Sequence, residues 1–193
     1  GEVVTPKKGK LPEETKIIHN TYEDIEKPAK PKPVSKPVLN MKEIPLKVKQ
    51  STAAVKVSGI ASGDSIKSWK SSNTKVATVN SKGKITARKK GTATLTVTLK
   101  SGKKATAKIK VQTGTVKTTK IQVSKKTITL KRGKKARLSV TRQPLTSQQK
   151  ITYQSANKKV AQVNTKGVIT ARKKGKTTIT VKSGSKKVKI GRA

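Results

Sequence analysis

Arg88-Lys89-Lys90 and Arg172-Lys173-Lys174 are the residues of this 193-residue chain best placed to do chemistry. Each triplet is followed by a glycine, Gly91 or Gly175, that lets the chain bend. The chemistry open to such a cluster is anion binding: adjacent cations attract phosphate, sulfate or carboxylate without making or breaking a bond. Lys103-Lys104 and Lys186-Lys187 offer smaller pairs, as do Lys125-Lys126 and Lys134-Lys135. Charge at a strand edge has a second use, since it blocks edge-to-edge pairing with another sheet.

Catalytic chemistry finds little support. His19 is the single histidine. Glu13-Glu14 and Glu23-Asp24-Glu26 are paired carboxylates, but acid–base work needs them held at fixed separation in a cleft. They fall in a proline-rich arm. No base is spaced to activate the many Ser and Thr hydroxyls. The chain contains no Cys, which excludes disulfides and thiolate metal sites. No metal cluster, phosphate-cradling loop or dinucleotide fingerprint is present, so the expectation is a non-enzyme with no cofactor.

Charge sets the class of partner. The formal net charge is +40. Seven of the eight acids lie at or before Glu43, and from Ile44 to Ala193 there are 39 Lys and Arg against Asp64 alone. Such a body attracts an anionic polymer or an acidic protein surface. Base-stacking recognition of nucleic acid is poorly served, because Trp69, Tyr22 and Tyr153 are the only aromatics. Non-specific, salt-dependent phosphate binding stays open. No run of 18 apolar residues exists to span a membrane.

The elements that carry the clusters are strands in a duplicated unit. Trp69–Val97 recurs as Tyr153–Val181 at an offset of 84 residues, with 19 of 29 positions identical. Thr92–Thr98 alternates Ala93, Leu95 and Val97 with threonines, and Ala105–Val111 sends Lys108 and Lys110 outward. Thr178–Val181 and Lys187–Ile190 repeat the pattern. Period two with one apolar face is the half-buried antiparallel strand. Asn80-Ser-Lys-Gly83 and Asn164-Thr-Lys-Gly167 read as hairpin turns. Ile128/Leu130 and Leu138/Val140 read as a strand pair about Arg132-Gly133-Lys134. Their counterparts are Ile44/Leu46 and Val55/Val57, with a one-residue gap in the turn. Each copy offers about seven short strands, the pattern of an immunoglobulin-type β-sandwich. With Phe absent, the cores are expected to form from Val, Ile, Leu and Ala around Trp69 and Tyr153.

The expected organisation is an all-β chain: arm 1–38, first sandwich 39–112, linker 113–119 with limited hinge freedom, second sandwich 120–193. Lys27–Pro37 spaces Pro with Lys, as a semi-rigid polyproline II spacer does. Pro12-Glu13-Glu14 suits a helix start, with Ile18, Tyr22 and Ile25 on one face, but an extended arm is the preferred reading.

Trp69-Lys-Ser-Ser-Asn73, Val76-Ala-Thr-Val79, Gly83-Lys-Ile-Thr-Ala87 and Gly91–Thr96 resemble the bacterial immunoglobulin-like domain, group 2. So do Ser155-Ala-Asn157, Val160–Val163, Gly167–Ala171 and Gly175. The resemblance covers about 39–112 and 118–190. It implies a spacer or binding module of surface proteins, adhesins, secreted enzymes or phage virions. Some members bind calcium, but with one acid after Glu43 a carboxylate cage has almost no ligands here.

Together these readings predict a non-catalytic protein of the bacterial exterior that attaches to a cell-wall polymer or anionic glycan. The alternatives are a phage virion or surface-fibre component whose arm contacts neighbouring subunits, and an accessory module of a secreted enzyme.

Overall fold

The computed structural model describes residues 29–192. His19, Glu13-Glu14, Glu23-Asp24-Glu26, the helix considered near Pro12 and most of the expected arm lie outside the described residues. No helix occurs among the described residues.

The first repeat contains β1 (Val38–Leu39), β2 (Glu43–Lys47), β3 (Ser51–Thr52), β4 (Val57–Ser58), β5 (Ile66–Ser71), β6 (Ala77–Val79), β7 (Ile85–Ala87), β8 (Gly91–Leu99) and β9 (Lys104–Gln112). The second contains β10 (Lys120–Val123), β11 (Thr127–Ile128), β12 (Lys135–Arg137), β13 (Val140–Gln143), β14 (Ile151–Ser155), β15 (Ala161–Val163), β16 (Val168–Ala171), β17 (Thr177–Ser183) and β18 (Lys186–Arg192). The order β2-β9-β8-β5 makes a four-stranded sheet, β3-β7-β6 a three-stranded one, and β1 pairs with β4. The second repeat copies this as β11-β18-β17-β14, β12-β16-β15 and β10-β13. Two sheets per copy bury one face of each against the other, which is a tandem immunoglobulin-like architecture.

Alternation builds the cores. Along β8, Ala93, Leu95 and Val97 are buried, and along β9 Ala107, Ile109 and Val111 are. They pack with Ile44, Leu46, Ile85 and Ala87 in the first repeat. Ile121, Leu138, Ala161, Ile169, Ile179, Val181 and Ile190 form the second core. Each such Val, Leu or Ile contributes about 1.5–3 kcal/mol by leaving water. The opposite face carries the charge. Thr92, Thr94 and Thr98 of β8 stand opposite Lys110, Lys108 and Lys104 of β9.

The structure revises four expectations. The apolar segments Ile44/Leu46 and Val55/Val57 do not pair with each other. Instead β2 runs parallel to β9, and β3 crosses to join β7 in the other sheet. In the second copy β11 likewise joins β18 while β12 joins β16. This crossing divides the early strands, so each copy has nine short segments rather than about seven. The one-residue gap also lies elsewhere. Lys49 and Gly133 occupy the same turn, with Lys49 N donating to Ala87 O and Gly133 N to Ala171 O. The extra residue follows Thr52, whose Oγ1 accepts from Ala54 N at 3.1 Å.

Fourth, the aromatics are not the centre of the cores. Trp69 and Tyr153 are half-buried on the outer strands β5 and β14, and aliphatic side chains fill the middle. Each ring lies over a turn glycine: a Cβ at Gly83 would stand 2.8 Å from Trp69 Cε2, and one at Gly167 2.8 Å from Tyr153 Cζ. Both glycines have positive φ, 81° and 78°. Within the segment 113–119, part of the chain packs against the second repeat. Val116 and Thr118 are buried. Val116 N donates to Gln148 Oε1 at 3.1 Å and Thr118 N to Gln149 Oε1 at 2.8 Å. Thr118 Oγ1 shares hydrogen bonds with Ser147 Oγ and Ser183 Oγ, each at 2.7 Å.

Candidate anion-binding surface

Both Arg-Lys-Lys clusters sit in the short loop between the last strand of the three-stranded sheet and the long strand of the other. Arg88-Lys89-Lys90 links β7 to β8, and Arg172-Lys173-Lys174 links β16 to β17. The loop backbone is pinned the same way in each. Arg88 N and Lys89 N donate to Val76 O, and Arg172 N and Lys173 N donate to Val160 O. All six side chains are exposed. Gly91 and Gly175 close the loops at φ 148° and 147°, where a Cβ would press on Val76 or Val160 at 3.0 and 3.2 Å. These loops are thus fixed in backbone and carry their charge at the surface.

The smaller pairs stand apart from the triplets. Lys103 and Lys104 are in the β8–β9 hairpin, and Lys186 and Lys187 open β18. Strand β8, from Gly91 to Leu99, separates Lys90 from Lys103 by roughly 30 Å at ~3.3 Å per residue. The ten sequence-predicted cations therefore do not form one patch. They lie at opposite ends of each sandwich, with the lysine-bearing sheet faces between them. In the second repeat Lys182 and Lys187 are directly paired across β17 and β18, a like-charge contact that costs stability unless an anion screens it.

The two triplets differ in what surrounds them. Arg172, Lys173 and Lys174 meet Lys131 and Arg132 across a concavity of about 710 Å³, with Leu130 and Gly175 completing its wall. Sequence reasoning read Arg132 only as part of a turn and did not join it to Arg172, 40 residues away. The sequence held no signal for this meeting, which is made by Gly133 N donating to the carbonyl of Ala171, the residue just before Arg172, at 2.8 Å. In the first repeat the position of Arg132 is filled by Val48, which packs against the core instead. The first triplet also lies at the end that meets the second repeat: Ala87 N donates to Gln50 O, and Gln50 Nε2 donates to Thr146 O at 2.9 Å.

The one acid after Glu43 is committed to structure. Asp64 Oδ2 accepts from Ser101 Oγ and Ser35 Oγ, each at 2.5 Å, and Oδ1 accepts from Ser65 N at 2.9 Å and Ser101 N at 3.0 Å. The hydroxyls of Ser101 and Ser35 lower its pKa to about 2, against the opposing effect of desolvation and with lesser help from the backbone amides of Ser65 and Ser101. Through Ser35, which is buried, Asp64 ties the start of the body to the β8–β9 hairpin. Burial raises the Tyr153 phenol, and the Arg137 guanidinium pulls it part of the way back. Among the described residues no group of three or more His, Cys, Asp or Glu could hold a metal ion.

The family model for the bacterial Ig-like domain, group 2, matches residues 38–110 and again 117–191. The chain belongs to this family. No curated protein matches it. Among solved structures, a bacterial Ig-like pair resembles the S-layer protein SbsC domains 5-6 at 21% identity, over 81% of this chain and 98% of that one, with a TM-score of 0.40. A longer S-layer protein SbsC structure is 26% identical over 65% of this chain, with a TM-score of 0.38. The chain spans 19% of that structure's length. Human mucin-like protocadherin EC1-2 is 8% identical over 82% of this chain and 97% of that one, at a TM-score of 0.33.

Proposed function

We propose that this tandem Ig-like chain is a non-catalytic module of the bacterial exterior that attaches through its basic faces to an anionic envelope polymer. The observation that carries the reading is the arrangement of charge. Cations occupy the outward positions of the strands and the fixed loops at their ends, while the only acid after Glu43 is consumed by four internal hydrogen bonds. The protein therefore cannot neutralise its own surface, and a polyanion supplies what it lacks. Lysine outnumbers arginine on these faces, which favours diffuse charge attraction over forked recognition of one group. Alternate residues along β9 place Lys108 and Lys110 about 6.6 Å apart, a regular row suited to a polymer with repeating charge.

Co-sedimentation with bacterial cell walls tests this reading. The chain is expected to pellet with untreated walls and to stay in solution once their anionic polymers have been chemically removed. Equal pelleting with stripped walls would overturn it.

A further inference from the structure

We propose that the two repeats are not equivalent ligand sites: the concavity formed by Lys131, Arg132, Arg172 and Lys174 in the second repeat is a focused phosphate-binding site, and the first repeat lacks it. The inference rests on the polyanion-binding reading above and deepens it.

The argument begins with convergence. Five cations line one concavity, Lys173 being the fifth. They come from two loops whose backbones are locked together, by Gly133 N to Ala171 O at 2.8 Å and Ala171 N to Lys134 O at 3.0 Å. Each loop is also pinned, the first within itself by Lys134 N to Lys131 O at 3.0 Å and the second to the segment before β15 by Arg172 N to Val160 O at 2.8 Å. Placing the charges therefore needs no loop ordering at the moment of binding, and less free energy is lost.

Neutralisation comes next. No Asp or Glu follows Asp64 in the sequence, so the second repeat has no acidic side chain of its own. Converging like charges repel, and the relief is greatest for the ligand group with the most charge in the least volume. A polyphosphate bears a negative charge on every phosphorus with a single bridging oxygen between neighbours, whereas a polyuronate spreads one carboxylate over each sugar ring. Arg132 and Arg172 add forked donors that match tetrahedral oxyanions. Arg172 is steadied by a hydrogen bond from Nη2 to Gln162 Oε1.

Contrast supplies the last step. In the first repeat the counterpart of Arg132 is Val48, turned into the core. The loop bonded to Ala87 there carries Lys47 and Lys49 but no arginine, so Arg88-Lys89-Lys90 gains no second forked donor. The duplicated triplet gives one focused site and one diffuse patch.

The experiment compares two variants of the full chain that lose the same net charge. One is Lys131→Gln/Arg132→Gln/Lys174→Gln, and the other is Arg88→Gln/Lys89→Gln/Lys90→Gln. Binding to inorganic polyphosphate and to a polyuronate is measured by titration calorimetry at fixed salt, with thermal melts confirming that both variants fold. The expected result is a loss of about tenfold or more in polyphosphate affinity for the first variant and about threefold or less for the second. The first variant should lose much less affinity for polyuronate. Equal losses from the two variants would overturn the focused site while leaving polyanion binding intact. Equal losses for both polymers in the first variant would overturn the assignment to phosphate. Failure of the unmodified chain to bind either polymer would overturn both this inference and the proposed function.

Discussion

Replacing Gly83 by alanine should destabilise the first repeat by more than backbone strain alone explains. Gly83 has φ 81°, and its added Cβ would meet Trp69 Cε2 at 2.8 Å and Cζ2 at 2.9 Å. Gly102, in the β8–β9 hairpin, has nearly the same φ, 87°, but a Cβ there meets nothing within 4 Å. The pair separates two effects. A non-glycine residue in the left-handed region costs about 1–2 kcal/mol at either site. Overpacking against the indole adds about 1–3 kcal/mol at Gly83 alone. For a domain this small, about 1 kcal/mol moves the Tm by ~4–8 °C. Gly83→Ala is therefore expected to melt at least ~4 °C below Gly102→Ala. Fluorescence of Trp69, the only tryptophan, reports the first repeat without interference from the second. Read by calorimetry, since the fluorescent reporter is then gone, Trp69→Val should cost less in the Gly83→Ala background than in the unmodified chain, because it also removes the clash. Equal melting of the two single variants would refute the account of why each aromatic is paired with a turn glycine.

Three further predictions follow from particular contacts. Lys49→Gly should stabilise the chain by about 1 kcal/mol in chemical denaturation, because Lys49 has φ 74° where the second repeat has Gly133. Thr118→Val should destabilise the second repeat by about 1–3 kcal/mol, since it breaks the hydroxyl chain to Ser147 and Ser183 inside the docked segment. Asp64 gives a pH signature: its folded pKa is depressed to about 2, so its stabilising contribution is present above the unfolded carboxylate range near ~4 and is lost as pH falls through about 2. Acid denaturation of Asp64→Asn and the unmodified chain should therefore differ above pH ~4 and converge toward pH ~2.

Much of this was legible because local pattern and tertiary environment agree. Ala93, Leu95 and Val97 alternate with threonine in the sequence and alternate between core and surface in β8. Asn80 and Gly83 mark a turn in which Asn80 Oδ1 accepts from Lys82 N and Lys84 N, each at 2.9 Å. What escaped was information held in neither period nor turn. The crossing from β2 to β3 is invisible to hydrophobic alternation, because an inward residue is apolar whichever sheet its strand joins. Trp69 reads as core by residue type, yet β5 is an outer strand and the ring is only half-buried there. The meeting of Arg132 with Arg172 depends on strand pairing between β12 and β16, a contact between residues far apart in sequence. Asp64 stood out as the sole acid after Glu43, but nothing near it in sequence announced Ser35 or Ser101 as its donors.

The central claim is that this surface binds by charge, and the dependence of polyphosphate affinity on salt tests it most directly. Plotted as log K against log salt concentration, binding should fall along a straight line. Its slope should be about −3 if four phosphates are neutralised, by the ~0.7 per phosphate seen for flexible single strands. Affinity that holds level from low to high salt would contradict the account.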